Sequence, residues 1–119
     1  MDWKKRSIKE HFNVEMKQRS RSERRTMFID YESNEYILLR NADETIEFLK
    51  NATLKEIAWA FEVLVEMAQK LPIEKAETIL NIFKDKLVSY PNLEDYSVVE
   101  CALELKEAEE TVEFRKNNK

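Results

Sequence analysis

Residues 53–71, TLKEIAWAFEVLVEMAQKL, decide the fold. On a helical wheel at about 100° per residue, Leu54, Ile57, Ala58, Ala60, Phe61, Leu64, Val65, Met67, Ala68 and Leu71 fill about half the circumference. Lys55, Glu56, Glu62, Glu66, Gln69 and Lys70 hold the other half, but Trp59 and Val63 sit among them, one turn apart. A helix that is apolar over half its girth and carries a tryptophan on its polar side needs neighbours in more than one direction. The stretch predicts the central helix of a small all-α domain. Thr53 and Glu56 have the spacing of a capping box at its start. Pro72 stops it, because the residue before a proline is pushed out of the α region.

The flanking sequence supplies the neighbours. After Pro72, the residues Ile73, Ala76, Ile79, Leu80, Phe83, Leu87 and Tyr90 make one apolar face, ended by Pro91. A last helix is expected over 93–114, on Val98, Cys101, Leu105, Ala108 and Val112, with Tyr96, Val99, Ala102 and Leu103 widening the stripe. Upstream, Leu39, Ala42, Ile46 and Leu49 fit a helix from about residue 34 to Lys50. Residues 27–39 are rich in β-favouring side chains, so a short β-hairpin there is the alternative. The helix is preferred, since two strands with no third to pair are marginal. Residues 2–25 read as a basic amphipathic helix with Ile8, Phe12 and Met16 on a narrow stripe that docks weakly on the body. The expectation is about five helices in a compact antiparallel bundle or a short stack of helical hairpins. It divides into a basic N-terminal arm, 1–25, and an acidic helical domain, 26–116.

Composition narrows the function. The 119 residues include no Gly, two Pro and one Cys. Without Gly there is no P-loop, dinucleotide fingerprint or nucleophile elbow, whose backbones need it to approach phosphate or to turn sharply. Residues 1–25 carry nine Lys or Arg against four Asp or Glu, and residues 26–119 carry eleven against twenty. A basic arm on an acidic body suits self-complementarity or two different partner surfaces. One cysteine forms no intramolecular disulfide, the N-terminal MDWKKRSIKEHF has no apolar h-region, and no apolar run has membrane-spanning length. A cytosolic protein with no membrane partner is expected.

No constellation for catalysis, cofactor or metal emerges, and an enzyme is not expected. His11 is the lone histidine, so a zinc site or His-centred triad lacks parts, and it reads as a solvated or partly packed helix residue. Cys101 lies on an apolar stripe beside Glu100 and Glu104, the opposite of a thiolate's surroundings, and reads as a small core residue. Arg19, Arg21, Arg24 and Arg25 lack interleaved aromatics, and an acidic body repels polyanions, which disfavours nucleic acid. What remains is a partner-binding face: Trp59 with Val63, flanked by Glu56, Glu62 and Glu66. The alternative is that the N-terminal helix or residues 27–39 cover Trp59 inside the fold.

The run DYESNEYILLRNADETIEFLKNATLKEIAWAFEVLVEMA (30–68), followed by ALELKEAEE (102–110), resembles small acidic helical immunity proteins of bacterial polymorphic-toxin systems. The resemblance covers about residues 30–110, rests on the RNADE, EFLKNAT, LKEI and tryptophan pattern, and carries no residue role with it. It implies a non-enzymatic bacterial protein, encoded with a secreted toxin, that binds the toxic C-terminal domain and protects the producing cell. On that reading Glu56, Glu62 and Glu66 meet toxin cations and Trp59 anchors. The basic arm lies outside the resemblance. Two other readings stand beside it: a self-associating structural or adaptor module, and a nucleic-acid-associated regulator using residues 4–25.

Overall fold

A computed structural model describes residues 3–21, 27–93 and 97–118, with side chains outside residues 3, 16–21 and 27–32. The helices are α1 (Ile8–Arg21), α2 (Met27–Leu39), α3 (Ala42–Lys50), α4 (Leu54–Phe61), α5 (Leu64–Lys70), α6 (Ile73–Ser89) and α7 (Val98–Asn117), and a 3-10 turn over Trp3–Lys5 precedes α1. The fold is all-helical, as the periodicity required. Among the described residues seven α-helices replace five, because two of the expected ones are each broken once.

The first break is at Asn41, where α3 is capped: its side-chain oxygen accepts from the Glu44 backbone N–H at 3.1 Å. The Thr45 hydroxyl donates to the Leu38 carbonyl at 2.7 Å, which satisfies an orphan acceptor at the end of α2. Residues 27–39 form α2, so the hairpin alternative does not hold.

The second break, at Glu62 and Val63, divides the stretch that decides the fold. The Val63 N–H bonds to the Ala60 carbonyl at 3.0 Å, a 3-10-type closure, and Val63 sits at φ −103°, ψ 6°. Neither Gly nor Pro marks the site. Trp59 of α4 faces α1 and Phe61 faces α6, while α5 packs chiefly on α7 and α6.

At its other end α4 starts where the capping box places it. Thr53 accepts from the Glu56 N–H at 3.2 Å, and Glu56 accepts from the Thr53 N–H at 2.8 Å. The last helix likewise has a capping box, between Ser97 and Glu100, and therefore begins at Val98 rather than near residue 93. Tyr96, counted among its apolar residues, lies outside the described residues.

Two groups of helices meet across α4. Helices α5, α6 and α7 pack on one another, and α6 also packs on α3, which with α1 and α2 makes the second group. Phe61 meets Phe83 of α6 at 5.7 Å between ring centroids. Arg115 of α7 donates to the Ala68 carbonyl in the last turn of α5 at 2.6 Å, where a cation and a donor are both favoured. Ion pairs on the surface join further helices, Lys75 to Asp43 at 2.6 Å and Lys84 to Glu109 at 3.4 Å. Each contributes little. The assembly measures 44 × 30 × 25 Å. Among the described residues there is no cis peptide and no positive φ.

The N-terminal arm is held more firmly than its narrow stripe implied. Ile8 and Phe12 belong to the same buried cluster as the central helix, while the side chains of Trp3 and Met16 lie outside the described residues. Phe12 packs edge-on to Phe48 at 5.2 Å and tilted against Trp59 at 5.8 Å. Arg40 then ties down the chain ahead of α1. Its guanidinium donates to the carbonyls of Lys4 at 2.6 Å and Arg6 at 2.5 Å, and pairs with Glu44 at 2.9 Å. Hydrogen bonding to Glu44 pushes the Arg40 pKa up, so it stays charged.

An Arg40→Ala variant loses all three interactions. Hydrogen bonds to charged groups contribute about 1.5–3 kcal/mol each when well formed. The half-exposed setting lowers this, and a loss of about 2 kcal/mol in urea unfolding is expected. Amide hydrogen exchange of residues 8–15 should quicken more than that of α6.

Candidate interaction surface

The face chosen from the sequence is mostly interior. Trp59 is 4% exposed, Val63 0% and Glu56 2%. Phe12 of α1 covers Trp59, which answers the alternative left open above: the N-terminal helix supplies the cover. Glu56 spends its carboxylate on the Thr53 cap and on Lys9 of α1, whose ammonium lies 3.0 Å away. A buried carboxylate stays tolerable only with such partners. The wheel was right that Trp59 stands apart from the main apolar arc, and a second layer of structure uses that direction. Of the five residues, Glu62 and Glu66 remain half-buried at the surface.

Alongside Trp59, α1 and α2 enclose a polar seam. His11 is fully buried, not solvated, with its Nε2 3.2 Å from the Ser33 hydroxyl. Glu15 and Asn34 are buried in the same two helices, and Asn34 Oδ1 has no hydrogen-bond partner among the described residues. No group of three or more His, Cys, Asp or Glu able to hold a metal ion occurs among the described residues. No described helix is long and apolar enough to cross a membrane. Arg24 and Arg25 lie outside the described residues, as do the side chains of Arg19 and Arg21.

The accessible chemistry lies along α7 and its edge with α5. Glu66, Glu104 and Glu107 form an acidic ridge there, and none of the three makes an ion pair within 4 Å among the described residues. Lys70, the nearest cation on α5, is engaged by Glu35 at 2.9 Å. Burial first, then the charges of Glu107 and Glu66, push the Glu104 carboxyl above its ordinary pKa. Unbalanced negative charge at a helix–helix edge raises the local potential for a cationic partner.

Beside the ridge, α7 exposes residues counted on for its core. Val98, Val99 and Leu103 are among its most exposed apolar side chains, and Phe114 joins them near its C-terminus. Only Cys101, Ala108 and Val112 are buried on α7. Cys101 is a core residue as its stripe predicted. Burial pushes its thiol pKa up, a backbone hydrogen bond with Leu93 pulls it partly back, and Glu100 raises it again. The Ser97 and Glu100 spacing was a legible cap signal. The outward turn of Val99 and Leu103 had none, because apolar residues surround α7 in sequence.

No family model, curated protein or solved structure matches this chain.

Two measurements check the electrostatics and the core. A carboxyl whose folded pKa is raised weakens the fold when ionised, above that pKa, and ceases to do so once protonated. Glu104→Gln should therefore raise the Tm by about 1–4 °C at pH 7. The gain should vanish as pH falls below the ordinary glutamate pKa, near about 4.3. In the folded protein Cys101 should resist iodoacetamide and react at the rate of a free thiol only in denaturant.

Proposed function

We propose that this chain is a non-enzymatic binding protein, most concretely an immunity protein that neutralises a cognate bacterial toxin by occluding its active site. The observation that supports the reading is the acidic ridge of Glu66, Glu104 and Glu107, carboxylates that make no ion pair within 4 Å among the described residues. Such a surface suits a basic cleft of the kind that handles polyanionic substrates, where complementary charge speeds association and suppresses wrong partners. The resemblance over residues 30–68 and 102–110 points the same way. Glu62 and Glu66 keep the role first assigned to them, and Trp59, buried against Phe12 of α1, does not touch the partner. The protein acts in the cytosol of the producing cell and needs no cofactor.

The test is a tagged pull-down from the source cell with nuclease treatment, read by mass spectrometry, followed by co-expression. Recovery of one stoichiometric polypeptide, whose C-terminal domain arrests growth alone and not with this chain, is the expected result. Recovery of the bait alone, or of nucleic acid lost on nuclease treatment, overturns the reading.

A further inference from the structure

The outer face of α7 is an apolar stripe set among carboxylates. Val99 is 66% exposed, Leu103 62% and Phe114 67%. Val99 and Leu103 are one turn apart, and Phe114 lies eleven residues beyond Leu103, about three turns, so all three fall on one side of the helix. The stripe spans about 22 Å. A shallow groove lined by Gln69, Glu107, Glu110, Thr111, Phe114 and Arg115 runs beside it. The charges on this side are mostly negative: Glu107, Glu110 and Glu113 are exposed, Glu66 and Glu104 border them, and Lys106 is the exposed cation among them. Of the cations nearby, Lys106 lies 4.0 Å from Glu110 and Arg115 donates to the Ala68 carbonyl, so carboxylates outnumber cations here. Large apolar side chains left out of the core on one side of a helix mark a candidate interaction site.

We propose that this face docks a basic amphipathic helix of a partner protein, its apolar side chains seated on Val99, Leu103 and Phe114 and its Lys and Arg over the Glu66, Glu104 and Glu107 ridge. The proposal rests on the protein-binding reading above and names the surface and the chemistry of the partner. A straight helical ridge of this length matches another helix by ridge-and-groove packing. Charge decides between occupants. A second copy of the chain brings the same excess of carboxylates, and like charges facing each other cost affinity. The chain's own basic segment, residues 17–25, contains no apolar residue to cover the stripe.

The probe is a synthetic amphipathic helix of Leu and Lys, added to the full chain labelled with 15N. Two controls accompany it: its Leu/Glu counterpart, and a Lys-bearing peptide of equal charge with Ser in place of Leu. Amide shifts should concentrate between residues 99 and 114 and at Glu66, and neither control should bind comparably. Leu103→Asp and Phe114→Ser alter exposed positions that the core does not use, and each should weaken binding about tenfold. Glu107→Lys should weaken it too, most at low salt.

Unchanged binding by Leu103→Asp overturns the proposal, as do shifts centred on another face or equal binding of the Ser-bearing peptide. A peptide-free dimer that Leu103→Asp dissociates also overturns it, in favour of a second copy. The outcome is separable from that of the toxin experiment. A chain that rescues growth while Leu103→Asp binds the probe normally retains the immunity reading and loses this surface. A chain that binds the probe on α7 and recovers no toxin retains the surface and loses the immunity reading.

Discussion

Residues 56–61 of α4, six in a row, are withdrawn from water, and the other helices are placed so that this is possible. A helix buried on every side has to be enclosed by separate elements, because one neighbour covers only one stripe. Phe12 of α1 covers Trp59, Phe83 of α6 meets Phe61, and α2 packs alongside. The one charge in the run, Glu56, obliges the chain further. Its carboxylate must find donors or leave a costly buried ion, and it takes them from the Thr53 backbone and from Lys9. The same carboxylate starts α4 and ties α1 to it.

That arrangement explains what the sequence revealed and what it withheld. The all-helical class followed from the absence of glycine and from periodic apolar residues. Helix ends followed where a cap or a proline marked them, as at Thr53 with Glu56 and at Pro72. Asn41 and Ser97 carried equally good cap signals, each with a glutamate three residues on, and longer apolar spacing running through them hid the breaks. The bend at Glu62 and Val63 had no local signal. It arises because α4 and α5 face different neighbours, and a wheel drawn through residues 53–71 as one cylinder cannot represent that.

The candidate site divides in the same way. Trp59 was rightly singled out as standing off the main apolar arc, but its neighbour lies some 47 residues away in sequence, in Phe12, as Lys9 does for Glu56. Long-range cover of this sort leaves no periodic trace. Val99 and Leu103 show the converse. Their apolar character suggested a wide core stripe, yet α5 and α6 approach α7 from one side and leave its outer face in water. Hydrophobic pattern reports how much surface a helix wants covered, and only the packing shows whether this chain or another molecule covers it.

The backbone carries one further consequence. Among the described residues no peptide is cis and no φ is positive, and the chain contains no glycine at all. Every described turn is therefore built from conformations open to any ordinary L-residue, and no described position is reserved for a residue without a side chain. An exposed position on α7 can exchange charge, size or polarity without the backbone having to move, so the surface chemistry of this scaffold is set independently of its turns.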